Sequence, residues 1–157
     1  MQVGLCGYSV QIDWEDIGII HSFFWRATDR GDGRIYFDCT VWDGRKYWIV
    51  RLHRLIMGVQ LGQKCVIDHI SGDHLDNRKA NLRICTQAEN CRNQRRRNDN
   101  RTGFKGVHYD GSHKKYRAQI TVNQKKIHLG RFDFPDEAYQ AYCRAAVKYH
   151  GEYANFG

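Results

Sequence analysis

The run Cys65-Val66-Ile67-Asp68-His69, followed after a polar stretch by Asn81-Leu82-Arg83-Ile84-Cys85-Thr86-Gln87-Ala88-Glu89-Asn90, decides how this chain folds. Its two short apolar runs, Cys65 to Ile67 and Leu82 to Cys85, read as strands. Ser71-Gly72-Asp73-His74-Leu75-Asp76-Asn77-Arg78-Lys79 between them has the composition of a loop. Thr86 and Glu89 are spaced as a capping box, in which hydroxyl and carboxylate each satisfy an orphan backbone N–H. The spacing predicts a helix from there to about Arg97. The local order is therefore strand, loop, strand, helix.

That order lets Asp68, His69, Asn81 and Asn90 meet. An Asp carboxylate and an Asn carbonyl are hard oxygen ligands suited to Mg²⁺ or Mn²⁺. A neutral His beside such an ion can take a proton from water. The set suits metal-assisted hydrolysis of a phosphodiester. Each residue alone has an ordinary structural reading; an Asn in a loop usually satisfies its own backbone. Their joint order carries the expectation. Asn93, Gln94 and Arg97 lie three, four and seven positions after Asn90, so they share its helical face and are candidate DNA contacts.

Outward from this core, the first fifty residues read as a helix followed by a β-hairpin. Asp13 to Trp25 begins with acids and carries apolar residues at helical spacing, weakened by Gly18. Arg34 to Trp42 and Tyr47 to Val50 are rich in β-branched and aromatic residues and flank Asp43-Gly44, a strong hairpin signal. His53 to Met57 reads as a short helix ending at Gly58.

Beyond Asn98 to Thr102, a polar linker, three strands and a helix are expected. Phe104 to Tyr109, Lys115 to Val122 and Lys125 to Phe132 supply the strands. Pro135 opens the helix, with Asp136 and Glu137 where the helix dipole favours acids. Tyr116, Ala118, Ile120 and Val122 alternate with Arg117, Gln119 and Thr121, and Ile127 and Leu129 with Lys126 and His128. One sheet face is apolar and receives the Ala/Tyr stripe of the helix. The other is basic and hydrogen-bonding, able to read base edges in a major groove.

Composition bounds these readings. The chain has 157 residues, 41% hydrophobic, with a formal net charge of +8. Residues 1–60 are net neutral; 61–102 and 103–157 each carry +4. Positive charge localised in this way is the footprint of a nucleic-acid partner. No apolar run approaches the ~18 residues of a membrane span, and no membrane partner is expected. The N-terminus lacks the pattern of a signal peptide. The six cysteines show no C-x-x-C spacing and read as reduced. A cytoplasmic protein acting on DNA is expected.

The residues also carry two resemblances. Leu52-His53-Arg54-Leu55-Ile56-Met57, Asp68-His69-Ile70-Ser71-Gly72-Asp73, Leu75-Asp76-Asn77-Arg78, Asn81-Leu82-Arg83, Thr86 and Glu89-Asn90 resemble the HNH endonucleases. The likeness is closest to phage and intron homing enzymes with a ββα-metal core, and covers about residues 50–97. It implies His69 as general base, Asp68 and Asn90 as ligands of one divalent ion, and Asn81 as the residue that pins the loop and aims His69. Many members have His where Asn90 stands, a departure that favours Mg²⁺ or Mn²⁺ over zinc. Phe104-Lys105-Gly106-Val107, Lys115 to Ile120, His128-Leu129-Gly130-Arg131-Phe132, Glu137-Ala138, Ala141-Tyr142, Ala145-Ala146 and Ala154-Asn155-Phe156 resemble the AP2/ERF DNA-binding domain. By position, Lys105, His108, Arg117, Gln119, Thr121, Lys126 and His128 would face DNA. Phe134 stands where a capping Thr is usual.

The expected whole is an α+β chain. Residues 1–50 form an N-terminal α/β support, 51–97 a ββα-metal HNH nuclease core, 98–102 a linker, and 103–157 an AP2-like three-stranded antiparallel sheet packed on one helix. The expected function is a homing-type endonuclease acting on double-stranded DNA as a monomer or weak dimer, in a phage-infected or bacterial cell. The alternative is a non-catalytic, sequence-specific regulator that binds DNA through the AP2-like sheet.

Overall fold

A computed structural model describes residues 1–31, 33–94, 96 and 99–157. It is an α+β structure of small antiparallel sheets. The chain divides into two compact units, Met1–Thr86 and Gln87–Gly157. Among the described residues, no helix is long and apolar enough to cross a membrane.

The first unit opens with a hairpin that the sequence reading did not anticipate, β1 (Gln2–Leu5) paired with β2 (Tyr8–Gln11). Its turn is Cys6-Gly7, both residues at positive φ, and Cys-Gly lacks the Asn/Asp signal of such turns. The expected helix over 13–25 is shorter. A 3₁₀ turn, Trp14–Asp16, leads into α1 (Ile17–Ser22). Gly18 weakens the helix, and the Ser22 hydroxyl donates back to the Gly18 carbonyl at 2.7 Å. The chain then extends into a second unanticipated strand, β3 (Arg26–Asp29), which joins β4 (Ile35–Trp42) and β5 (Tyr47–Arg51) in one sheet. The Asp43-Gly44 turn forms as expected. One Asp43 carboxylate oxygen accepts the N–H groups of Arg45 and Lys46 at 2.8 Å, and the other accepts Trp48 Nε1 at 2.5 Å. The Trp48 donation, with these backbone bonds, holds its pKa down to about 2.

Helix α2 (Leu52–Ile56) follows, then β6 (Val66–His69) antiparallel to β7 (Leu82–Cys85). Leu5, Val10, Ile12, Ile20, Phe37, Leu52, Ile56, Ile67 and Leu82 share one core. The N-terminal hairpin, α1, the three-stranded sheet and the β6–β7 pair therefore bury their apolar faces together.

The second unit begins with α3 (Gln87–Asn93). It starts where the capping pattern places it but ends before Gln94, short of Arg97. Arg97 itself lies outside the described residues. Strands β8 (Val107–Asp110), β9 (Lys115–Val122) and β10 (Lys125–Phe132) form an antiparallel sheet in the order β10-β9-β8. Helix α4 (Pro135–His150) packs on it through Ala138, Tyr142, Ala145 and Ala146 against Val107, Ala118 and Ile120. No side chain caps α4 at Phe134. Gly106 lies at φ +74 beneath the Tyr142 ring, and a Cβ there would sit 2.1 Å from Tyr142 Cδ2. Gly106→Ala is therefore expected to destabilise this unit by roughly 1–3 kcal/mol through overpacking alone, read as a lowered urea midpoint. An unchanged midpoint would mean the ring moves aside freely.

Candidate functional site

Strand pairing sets Asp68 opposite Arg83 and His69 opposite Leu82. The loop between the strands is tied at its base. Asn81 Oδ1 accepts the Ser71 N–H at 2.9 Å, Asn81 Nδ2 donates to the Asp76 carbonyl at 2.8 Å, and the Asn81 carbonyl accepts the Ile70 N–H at 2.8 Å. One side chain thus fixes both limbs of the loop beside His69. Asp76 and Arg78 lock a further turn through two ion-paired hydrogen bonds at 2.8 and 2.7 Å. The guanidinium of Arg78 holds the Asp76 carboxyl below its ordinary pKa.

The N-terminal segment grips the same loop. Gln11 accepts the Asn77 N–H and donates to the Leu75 carbonyl, both at 2.8 Å. Asp13 accepts the Lys79 N–H at 2.7 Å, and the Lys79 ammonium lies 3.1 Å from Asp16 and 3.3 Å from Glu15. The first hairpin and the acids after it are the outer clamp of the loop.

His69 is 3% exposed. Its Nε2 lies 3.3 Å from Asn77 Oδ1, and Asn77 Nδ2 donates to the His74 carbonyl at 3.1 Å. That second bond fixes which end of the amide faces His69. An oxygen there requires a hydrogen on Nε2, so in the neutral ring the lone pair is on Nδ1. His74 Nδ1 approaches that lone pair at 3.2 Å and serves as its donor. Burial pushes the His69 pKa below its ordinary value, opposed by the Asn77 bond and by Asp68, Asp73 and Asp76. The ring is thus held neutral, in one tautomer, with Nδ1 as its basic atom.

His53, Tyr36 and His74 complete a ring of aromatic contacts about this base. Centroids are 5.2 Å apart for His53–His69, 4.8 Å for His69–His74, 4.7 Å for Tyr36–His74 and 5.9 Å for Tyr36–His53. Burial, with His69, Arg54 and His74 nearby, lowers the His53 pKa to about 3. The folded state thus keeps His53 neutral where the unfolded chain would protonate it. Stability from this group is present above pH ~6.5 and is lost at about 1.4 kcal/mol per pH unit as pH falls toward 3. Urea melts between pH 7 and 4 should show that slope, and His53→Leu should flatten it. An equal slope in the variant would assign the acid sensitivity elsewhere.

Asp68 is buried and paired with Arg83, whose Nε and Nη2 both reach Asp68 Oδ2, at 3.0 and 2.8 Å. Among the described residues no group of three or more His, Cys, Asp or Glu is gathered as a ligand set. The hard donors at the expected positions are the Asp68 carboxylate and Asn90 on α3 of the second unit. A carboxylate and an amide carbonyl are each donor types that suit Mg²⁺.

The remaining expected residues lie in the second unit. Asn93 is buried and accepts from Asn155 Nδ2 at 3.3 Å. Gln94 is exposed. Lys105 turns its ammonium onto the carbonyls of Arg92 and Gln94, where a cation suits the end of α3. Burial lowers the Lys105 pKa to about 8.

The open face of the β8–β10 sheet gathers the others by register. His108 pairs with Arg117, Gln119 with His128, and Thr121 with Lys126. Burial, with Arg117 and Lys126 nearby, lowers the His108 pKa. Arg117 Nε is buried without a hydrogen-bond partner, an unmet donor on this face. The alternation expected for β10 breaks at a bulge between His128 and Gly130, which pairs Arg131 with Arg117. Arg131 therefore joins the basic face, with Asp110 accepting its Nε at 3.1 Å. Gly130 was the signal for that bulge. The sequence reading also passed over Asn77, His74 and Arg83. Asn77 and His74 were hidden in a loop of ordinary composition, and Arg83 follows only once the strand register is known.

Two stretches of the chain match models of known families. Residues 50–92 match the model of the HNH endonuclease family, and residues 102–152 match that of the AP2 domain. The first stretch contains Asp68, His69, Asn81 and Asn90; the second contains the sheet and α4. Protein 3.8 of Escherichia phage T7 is 29% identical over 90 residues, 57% of this chain and 74% of that protein. No solved structure matches significantly.

Proposed function

We propose that this protein is a metal-dependent DNA endonuclease of homing type, in which His69 is the general base. The observation that carries the reading is a buried neutral histidine with its Nδ1 lone pair defined by Asn77, at the foot of a loop tied by Asn81 and next to Asp68. A water replacing His74 at that lone pair gives its proton to Nδ1 and attacks the scissile phosphorus. The bond to the 3′ oxygen breaks and that oxygen takes a proton from solvent water, leaving 5′-phosphate and 3′-hydroxyl ends. Asn77 acts by holding the ring and Asn81 by tying the loop beside it. Asp68 and Asn90 would hold one Mg²⁺ or Mn²⁺, which when bound supplies electrostatic stabilisation of phosphate charge.

The β8–β10 face is the proposed reader of double-stranded DNA, through His108, Arg117, Gln119, Thr121, Lys126 and His128. Asn93 and Lys105 support this unit internally, and Gln94 is an exposed candidate contact. The protein is proposed to act as a monomer or weak dimer on DNA, in the cytoplasm of a phage-infected or bacterial cell. Incubation with supercoiled plasmid, with and without Mg²⁺, tests the central claim. Nicked or linear product should appear only with the ion. Tight duplex binding with no cutting in Mg²⁺ or Mn²⁺ would instead favour a non-catalytic regulator.

A further inference from the structure

The β3–β4–β5 sheet has one face in the core, through Phe37, Cys39 and Val50. Its register puts Trp42 beside Tyr47, Thr40 beside Ile49, and Asp38 beside Arg51 on the opposite face. Tyr36 at one end of that face packs on His53 and His74, while the other end is left open by the described residues of the first unit. Trp42 is 54% exposed, and Tyr47 and Ile49 are each 72% exposed. Trp42 and Tyr47 lie ring to ring at 4.7 Å. Large apolar side chains left together in water usually mark a contact surface.

Cations flank this strip. Arg45 is exposed at its tip, Lys46 is exposed there with its ammonium 3.8 Å from the Trp48 ring of the other face, and Arg26 is exposed beside Asp38. The acids here have partners of their own. Asp38 accepts from the Thr28 hydroxyl at 2.9 Å and faces Arg51 at 3.7 Å, while Asp43 is held by its own turn. The strip also leads to the base. Arg51 covers the Tyr36 ring at 4.5 Å, Tyr36 meets His74 at 4.7 Å, and His74 meets His69 at 3.2 Å.

We infer that the outer face of β3–β4–β5 is a second DNA-docking surface, which receives the duplex on one side of the phosphate presented to His69. A sheet of this kind fits a major groove, where apolar side chains meet thymine methyl groups and flanking cations meet phosphates. A second copy of the chain is the poorer occupant, because apposed faces would set Arg26, Arg45, Lys46 and Arg51 against their own kind. The neutral total charge of residues 1–60 conceals this local bias. The inference rests on the reading of the protein as a DNA endonuclease.

The test uses the full chain in EDTA with a duplex that contains its mapped cleavage site. Tyr47→Ser/Ile49→Ser should bind that duplex at least tenfold more weakly by fluorescence anisotropy. Its hydroxyl-radical footprint should lose protection on one side of the cleavage position. Arg45→Ala/Lys46→Ala, which leaves the strands intact, should shrink the same side of the footprint and decides the matter if the first variant does not fold. Unchanged affinity and footprint would overturn the inference and leave the endonuclease reading standing. So would loss of self-association without loss of DNA binding, which assigns the face to a second copy. Failure of the parent protein to bind any duplex would remove both.

Discussion

His69→Ala abolishes DNA cleavage while leaving duplex affinity unchanged: this is the expected result with the largest effect on activity. General-base catalysis by a positioned side chain contributes about 10²–10⁴-fold, and the two histidines that touch His69 do not replace it. His53 is buried and already neutral, and His74 directs its Nδ1 hydrogen at His69. The measurement is single-turnover cleavage beside anisotropy on the same duplex. The pH profile of the parent protein should support the assignment, because a general base works unprotonated and burial lowers the pKa of this one. The rate should fall on acidification through a point below the ordinary histidine value of about 6.5. Full activity in His69→Ala would sink the mechanism, whatever the binding data.

The largest effect on stability is expected at Arg83. The Arg83–Asp68 pair has side chains only 13% and 7% exposed. Removing one partner of a buried pair strands the other charge, at a cost of about 3–5 kcal/mol. Arg83→Met should therefore unfold the first unit at a much lower urea concentration. Asp68→Asn/Arg83→Met removes both charges and should recover most of the loss. Equal destabilisation of the single and double variants would mean that packing, not charge, carries the effect. Arg83→Lys should fall between, since an ammonium on a flexible stem keeps the charge but lacks the planar fork by which Nε and Nη2 reach Asp68. If the β8–β10 face reads duplex DNA as proposed, its binding offers a control for damage confined to the first unit.

The parts legible in the sequence were those with a local cause. Asp43-Gly44 announced its hairpin because the turn needs those residues, and the alternation of β9 announced the two faces of its sheet. Asp68-His69 and Asn81 stood out because their spacing brackets one loop. What escaped depends on distant partners. Strand β3 exists because β4 offers it an edge, and Arg26 to Asp29 alone does not say so. The end of α3 at Asn93 is set by Lys105 and Asn155 as much as by its own residues. Arg83 is an ordinary strand residue until the register places it over Asp68. His74 becomes meaningful only once Asn77 has fixed the tautomer of His69.

The clamp formed by Gln11, Asp13 and Asp16 has a consequence for modularity. The loop that aims His69 is closed by a hydrogen bond spanning 66 positions, from Asp13 to Lys79. A segment cut out at residue 50 would carry Asp68, His69 and Asn81 and lack the brace of their loop. Loop closure over such a distance is slow and entropically costly, so the active loop should be among the last parts of this unit to order during folding. Recombination that swapped nuclease segments at that seam would yield well-formed strands around a disordered centre. The stretch that matches the HNH model, residues 50–92, lacks Gln11, Asp13 and Asp16, which hold its loop from outside.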